Sequence, residues 1–192
     1  MIVTISFLLF VCAARTHVVP FHLLLSSVLL KNKQVREPNA EKLKGIKHKV
    51  MSWIQRSLSS MNVKKIFDVH KIIIPINNDN THWTLAVVSF SNEEMRIEYL
   101  DSLAGNGQND LVDILVHFLK EEADRLKFTI KTWVVLPPRN DIPRQVNGLD
   151  CGVFMCYFAN FMSVDAPLTF TAEDIPHFRR RMITDVYNGH IA

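Results

Sequence analysis

The chain is poor in cysteine. Its 192 residues contain three, Cys12, Cys151 and Cys156, and no two of them form a Cys-x-x-Cys pair. An odd number without such spacing argues against a disulfide scaffold and a structural zinc site, so we predict no metal site. Cys156 follows Cys151 by five residues, so on a helix the two side chains point in different directions. We expect Cys156 to be a small buried hydrophobic residue.

Strong charge of either sign is also missing. The chain has 22 Lys and Arg against 19 Asp and Glu, which gives a formal net charge of +3. Its most basic stretches are residues 42–49 and 179–181. Each is predicted to be a solvated helix face rather than a nucleic-acid-binding patch. We therefore expect no nucleic-acid partner.

No apolar run is long enough to span a bilayer comfortably. Residues 2–14 are almost wholly apolar, but a transmembrane helix needs about 20 such residues. The run resembles the apolar part of a signal peptide, with Val11-Cys12-Ala13 as a possible cleavage site, although no Lys or Arg precedes it. A core element, an atypical N-terminal segment and a signal or anchor all stay open as interpretations. We expect no membrane partner.

The remaining composition is that of one globular domain. The apolar fraction is 48% and the charged fraction 21%, which are ordinary values, and the length allows a sizeable core. Glu37-Pro38-Asn39 separates the apolar N-terminus from a charged, helix-like stretch. We therefore divide the chain into a hydrophobic N-terminal segment of undefined role, residues 1–36, and a folded domain, residues 37–192.

Hydrophobic periodicity predicts an α+β domain with a mixed central sheet flanked by helices. Helices are expected over residues 40–58 and 111–126, from Cys151 onward, and from the capping pattern at Thr171 to about Tyr187. Strand patterns cover residues 64–67, 71–76, 82–90, 95–100 and 128–136. Residues 77–80 and 91–94 are predicted turns, and residues 139–150 a loop.

The most informative stretch is Gln-Val-Asn-Gly-Leu-Asp-Cys-Gly, residues 145–152, followed by an apolar run. It places Cys151 at the junction of a turn and a helix. Gly148 and Gly152 allow a close bend of the backbone, and Asp150 is a favourable N-cap. The positive partial charge at a helix N-terminus favours the thiolate. Cys151 is therefore a candidate nucleophile.

A cysteine nucleophile needs a base, and the base needs an orienting acceptor. His82 begins a predicted strand, and Asp101 lies where the next predicted strand ends. If the two strands form a hairpin, these residues become neighbours across the ladder. His70, preceded by Asp68, is the alternative base. Gln145 is a candidate donor to the oxyanion that forms when a thiolate attacks a carbonyl, together with the backbone N–H of Cys151.

Three stretches resemble the ubiquitin-like-protein-specific cysteine proteases, the SUMO (sentrin) proteases. They are His82-Trp83 at a strand start, residues 99–102 (Tyr-Leu-Asp-Ser) at the end of the next strand, and residues 145–152. The likeness extends to residues 175–182, which resemble the C-terminal helix of that family. The octapeptide before the helix is the most specific of these motifs.

The resemblance implies a papain-like cysteine protease superfamily fold with the circularly permuted order His, Asp, Cys. It implies His82 as general base, Asp101 as its orienting group, Cys151 as nucleophile and Gln145 as oxyanion donor, with no metal or cofactor. Its substrate and partner would be a SUMO-type modifier or its conjugates, cleaved after a C-terminal Gly-Gly. Trp83 matches one of two tryptophans that cover the glycine tunnel in the family, and a core aromatic is the alternative.

The family usually carries an N-terminal Trp-Leu-x-Asp segment that has no counterpart in residues 1–35. Two other hypotheses therefore stay open: a protease of the same superfamily that acts on NEDD8 or ubiquitin, and a modifier-binding module with little or no catalysis. A free catalytic thiol suits a reducing compartment. We expect residues 37–192 to be the catalytic domain of a monomeric, intracellular protein of the nucleus or cytoplasm.

Overall fold

The fold is built around a mixed sheet of five strands whose spatial order follows the sequence. A computed structural model describes residues 18–20, 55, 58, 59, 62–78, 81–91, 94–103 and 109–188. The strands are β1 (Val18–Pro20), β2 (Lys71–Asn78), β3 (His82–Ser91), β4 (Glu94–Leu100) and β5 (Thr132–Val135). β2, β3 and β4 pair antiparallel, whereas β1 and β5 add in parallel at the two edges.

Three of the described α-helices have bounds that the structure defines, and they pack around this sheet: α1 (Asn109–Leu126), α2 (Cys151–Ser163) and α3 (Ile175–Asn188). A short 3₁₀ helix, Ala172–Asp174, precedes α3. Thr171 caps it as the sequence predicts, because its Oγ1 accepts a hydrogen bond from Glu173 N while Asp174 accepts one from Thr171 N. The observed α+β architecture agrees with the predicted fold class.

The central strand β3 separates two apolar cores. Trp83, Leu85 and Val87 face the core beneath α2 and α3, while Ala86 and Val88 face the core beneath α1. This alternation follows from the two-residue period of a strand. Because both faces are covered, β3 is apolar almost throughout, as predicted for a strand buried on both sides.

The direction of α2 over the sheet is fixed by Lys71, the first residue of β2. Its Nζ donates a hydrogen bond of 2.8 Å to the carbonyl of Met162 in the last turn of α2, and it pairs with Asp165 just beyond. A cation at this end favours the helix, since the last carbonyls carry negative partial charge. The C-terminal end of α2 therefore lies at the Lys71 end of β2.

The predicted strand at residues 64–67 is wrong. The chain forms a 3₁₀ helix there, Ile66–Asp68, in which Ile66 and Phe67 are buried. The carboxylate of Asp68 accepts a hydrogen bond of 3.1 Å from the backbone N–H of Lys65 and holds the turn closed. A side-chain acceptor three residues ahead offers this backbone an alternative to sheet pairing.

The predicted turn at residues 77–80 begins too early. β2 continues through Asn77 and Asn78, which pair with Trp83 and His82 on β3. Ladder pairing here prevails over the turn preference of asparagine. The side chain of Asn78 also bonds to Tyr99 at 3.4 Å, so the residue is held by tertiary contacts that a local pattern does not contain.

The predicted strand at residues 128–136 is shortened to β5. Phe128 instead stacks on Phe67 with ring centroids 4.6 Å apart, which draws this segment into the core beneath α1. The predicted helix over residues 40–58 and the N-terminal segment 1–36 lie largely outside the described residues. Within the part of the chain that is described, no helix is both long and apolar enough to cross a membrane.

Candidate active site

His82 and Asp101 meet at one end of the β3–β4 hairpin. His82 is the first residue of β3 and Asp101 directly follows β4, and the antiparallel register places Leu85 opposite Leu100. His82 Nε2 lies 2.7 Å from Asp101 Oδ1. The same carboxylate oxygen accepts a bond of 2.9 Å from the backbone N–H of Leu103. The predicted juxtaposition of the two residues is confirmed.

The alternative base, His70, lies elsewhere. It immediately precedes β2, and its carbonyl accepts a hydrogen bond from Phe90 N near the end of β3. His82 is opposite Asn78 at the other end of β2. The two histidines are thus separated by an eight-residue strand, a distance of roughly 25 Å.

Cys151 is the first residue of α2 and is only 5% exposed. Two contacts place it at the His82 end of the sheet. The C-terminal end of α2 is held at the opposite end by Lys71, and the loop that leads into α2 is bonded to the end of β4. In that loop, Gln145 N donates to the carbonyl of Ser102 at 3.0 Å.

The guanidinium of Arg144 adds a second tie between this loop and β4. It donates to the carbonyl of Asp101 at 2.6 Å and to that of Arg139 at 2.8 Å. Sequence reasoning gave Arg144 no role. Its position six residues after the Pro137-Pro138 strand stop marks it only as a loop residue, so no local signal identifies it.

The side chain of Gln145 is buried and held at both ends. Its Oε1 accepts a hydrogen bond from the hydroxyl of Ser102, and its Nε2 donates to the carbonyl of Asn147 at 2.5 Å. Since Ser102 donates to the oxygen, the amide nitrogen is turned toward the loop that directly precedes Cys151. Ser102 was part of the Tyr-Leu-Asp-Ser motif, but its function as an orienting group was missed.

Asp150 was predicted to cap α2 through its side chain. It does occupy the N-cap position, but its side chain makes no capping hydrogen bond. Its Oδ2 accepts a bond of 2.7 Å from Asn147 Nδ2, and its Oδ1 accepts bonds from Nε and Nη2 of Arg179 on α3. Burial acts to raise the pKa of Asp150, but the hydrogen bonds from Arg179 and Asn147 and the charge of Arg179 outweigh it. The pKa of Asp150 is therefore lowered.

Arg179 is exposed, as expected for part of a solvated helix face, but its guanidinium is also held by specific hydrogen bonds that the expectation did not include. Besides Asp150, it contacts the carbonyl of Leu149 at 3.2 Å. Its neighbour Arg180 is exposed, in line with the prediction. Gly148 also differs from expectation: a Cβ built on it meets no atom within 4 Å. The bend before Cys151 is fixed by side-chain hydrogen bonds rather than by a close approach at Gly148.

Trp83 and Cys156 are both buried in the core beneath α2 and α3, and this core also contains Cys151. For Cys156 this agrees with the prediction of a small buried hydrophobic residue. Among the described residues, no group of three or more His, Cys, Asp or Glu side chains is arranged to hold a metal ion. The site thus consists of a thiol at a helix start, an imidazole bonded to a carboxylate, and an oriented amide donor.

Comparison with known proteins identifies the family of the chain. The family described as "Ulp1 protease family, C-terminal catalytic domain" matches residues 13–190. Sentrin-specific protease 2 of Rattus norvegicus is 32% identical over 130 residues, which cover 66% of this chain and 21% of the relative. Ubiquitin-like-specific protease 1A of Arabidopsis thaliana is 36% identical over 121 residues, which cover 62% and 23%. The chain spans about a fifth of the length of these relatives.

Solved structures show the same fold. The catalytic domain of the Chaetomium thermophilum Ulp1-like SUMO protease superposes with a TM-score of 0.71 at 24% identity, over 100% of this chain and 72% of that one. The C-terminal Ulp1 protease domain, solved in complex with the yeast ortholog of SUMO, gives a TM-score of 0.68 at 24% identity, over 97% and 75%.

Proposed function

Because the chain belongs to the Ulp1 protease family, we propose that it is a thiol protease that cuts after the C-terminal Gly-Gly of SUMO-like modifiers. Such cleavage matures a precursor or releases the modifier from a lysine isopeptide. The observation that carries the proposal is the 2.7 Å contact between His82 Nε2 and Asp101 Oδ1. This contact lies at the end of the sheet toward which α2 points Cys151.

In the proposed reaction, His82 removes the proton of the Cys151 thiol through Nδ1, because Nε2 is held by Asp101. The thiolate attacks the carbonyl carbon of the second glycine, and the π electron pair moves onto the oxygen. Nε2–H of Gln145 and the backbone N–H of Cys151 donate to this oxyanion. The imidazolium then protonates the leaving amine as the C–N bond breaks, which leaves a thioester on the sulfur.

The second half of the reaction uses water. His82 takes a proton from a water molecule, whose oxygen attacks the thioester carbon. The C–S bond breaks, the thiolate leaves, and the modifier departs with a free Gly-Gly carboxyl group, which loses its proton to the solvent. The proton on His82 returns to the sulfur, and the enzyme is ready for another substrate. All proton transfers pass through one imidazole, so its fixed orientation by Asp101 serves both halves.

The names of the relatives support the choice of substrate. A sentrin-specific protease, a ubiquitin-like-specific protease and a protease bound to the yeast SUMO ortholog all belong to the matched set. We propose a SUMO-type modifier as substrate and partner. Trp83 is proposed as a wall of the passage for the two glycines, since its ring lies in the same apolar core as Cys151.

We propose residues 37–192 as the catalytic domain. β1 adds to its sheet from the N-terminal segment. We also propose that the protein is a monomer with no nucleic-acid or membrane partner. We place it in the nucleus or cytoplasm, because a reactive thiol is preserved best in a reducing compartment. Imaging a C-terminally tagged chain with and without residues 1–30 tests the location. Secretion or membrane retention of the full chain contradicts it.

The function is tested with SUMO, NEDD8 and ubiquitin probes that carry a vinyl sulfone in place of the C-terminal carboxylate. We expect the SUMO probe to form a covalent adduct, and peptide mass spectrometry to place it on Cys151. The matched controls are Cys151→Ala, which should form no adduct, and Cys156→Ala, which removes the other described thiol and should still react.

The probe panel separates the alternatives. An adduct with NEDD8 or ubiquitin alone keeps the chemistry and overturns the proposed modifier. Measurable binding of SUMO without an adduct and without turnover of a Gly-Gly precursor shows a binding module instead of a protease. Reaction with none of the three modifiers, in a chain that is folded by circular dichroism, overturns the protease proposal.

A further inference from the structure

We propose that Arg179 of α3 is a positioning residue for Cys151. Its guanidinium holds the carboxylate of Asp150, the residue directly before Cys151, and neutralises the charge of that carboxylate. The inference rests on the proposed role of Cys151 as the nucleophile. It assigns a function in the reaction to a helix that contributes no group to the chemical steps.

The contacts define what Arg179 does. Two of its nitrogens, Nε and Nη2, donate to Asp150 Oδ1, the first at 3.2 Å, and Nη2 also donates to the carbonyl of Leu149 at 3.2 Å. The other carboxylate oxygen of Asp150 is held by Asn147. One guanidinium thus fixes both the side chain and the backbone of the two residues that lead into Cys151.

The charges of Asp150 and Arg179 affect Cys151 because Asp150 lies one residue before it. An ionised carboxylate one residue before a thiol disfavours the thiolate, since the two negative charges repel. The Asp150 side chain is 16% exposed and that of Arg179 is 43% exposed, so the repulsion is only partly screened by water. Arg179 supplies the compensating positive charge that Asp150, which makes no side-chain cap hydrogen bond, requires.

Several other charged groups near the two ends of α2 are engaged by partners of their own. At the Cys151 end, His82 and Asp101 pair with each other, and Arg144 bonds to two carbonyls. At the far end, Lys71 pairs with Asp165. The remaining titratable or charged groups of α3 are His177, Arg180, Arg181, Asp185 and Tyr187, of which Arg181 and Asp185 pair with each other.

The test measures the ionisation of Cys151 without any modifier. The rate of alkylation by iodoacetamide is followed against pH, with mass spectrometry to localise the product. We expect Arg179→Gln to raise the pKa of the thiol by roughly 0.3–0.7 unit, a size typical of a partly exposed charge. Asp150→Asn should lower it by a similar amount. The double variant should return close to the wild-type value, because both charges are gone.

A structural role alone predicts something else. If Arg179 only supports the fold, both single variants shift the pKa of the Cys151 thiol in the same direction. The pKa in the double variant is then at least as far from the wild-type value as in either single variant. That pattern overturns the proposal. Arg180→Gln is the matched control, since it removes the same charge from the neighbouring exposed position and should leave the pKa within about 0.2 unit.

A conservative variant separates the charge of Arg179 from its contribution to folding. Arg179→Lys keeps the charge and should hold the pKa of the thiol near the wild-type value even where Arg179→Gln is poorly folded. A shift with Arg179→Lys as large as with Arg179→Gln contradicts the charge argument. Because alkylation needs no substrate, failure of this inference is distinct from failure of the probe panel.

Discussion

Asp101 and His82 are joined by a 2.7 Å contact between a carboxylate oxygen and Nε2 of the imidazole, across the ends of two adjacent antiparallel strands. The side chain of His82 is 18% exposed and that of Asp101 is 11% exposed, so the contact is largely protected from water. It fixes the ring orientation and leaves Nδ1 for proton exchange.

Asp101→Asn tests whether the carboxylate orients the base. The asparagine keeps the size of the side chain and an acceptor for Leu103 N, but its amide group favours the wrong tautomer of His82. We expect kcat to fall by about 10⁴-fold, as in triads that lose the orienting carboxylate. Asp141→Asn is a matched control that removes an exposed carboxylate bonded to Arg139. Retention of a tenth or more of the activity by Asp101→Asn contradicts the role.

Gln145→Met tests the oxyanion donor. The methionine keeps the length of the side chain but has no N–H, so transition-state binding is lost while ground-state binding is kept. We expect kcat to fall by about 10²-fold with KM changed by less than about threefold. Ser102→Ala removes the hydroxyl that orients the Gln145 amide and should give a smaller loss in kcat. A pure KM effect would show that Gln145 binds substrate instead.

Lys71→Met tests the support at the C-terminal end of α2. The variant keeps the buried stem but leaves the carbonyl of Met162 without its donor, which costs about 1–3 kcal/mol in the free energy of unfolding. Urea denaturation followed by circular dichroism measures the change. Lys64→Met, at an exposed position, is the control and should change stability by less than about 0.5 kcal/mol. Equal effects of the two variants contradict the assigned support.

Tyr99→Phe tests a pH dependence of stability. Burial raises the pKa of Tyr99 above its ordinary value of 10.0, and this effect exceeds the opposing hydrogen bonds to Thr84 and Asn78. Above about pH 10 the unfolded chain loses the phenol proton before the folded chain does. Stability then falls with rising pH, by at most about 1.4 kcal/mol per pH unit for this one group.

The Tyr99→Phe variant lacks that proton, so its stability deficit at pH 7, about 1 kcal/mol for the lost hydrogen bond to Thr84, should shrink between pH 10 and 11. Denaturation curves of both proteins across this range measure the difference. Tyr187→Phe removes a hydroxyl from a residue that is 89% exposed and should leave the free energy of unfolding unchanged. A deficit that stays constant with pH would contradict the assignment.

The hairpin that joins His82 and Asp101 was predictable, because the hydrophobic pattern of each strand lies within its own short segment of sequence. An apolar run, a polar turn and an alternating run define the pairing, and the pairing defines which residues meet. The start of α2 at Cys151 was predictable for the same reason. In these segments the local preference and the tertiary environment agree.

The contact of Asp150 with Arg179 was not predictable, because it depends on a partner 29 residues away on α3. Local reasoning assigned the carboxylate to the nearest backbone N–H groups, whereas a long-range guanidinium takes it. Asn78 gives a similar case: its turn preference loses to ladder pairing with His82.

The order of these groups along the chain has a consequence for biosynthesis. His82 and Asp101 meet through a local hairpin, so their pairing requires nothing beyond residue 101 except packing. Cys151 lies in the core where α2 packs on β3, and Arg179 of α3 contacts the residue before it. We therefore expect a chain still on the ribosome to form the His82–Asp101 contact before α2 has been synthesised, whereas the surroundings of Cys151 form only after α2 and α3 have packed.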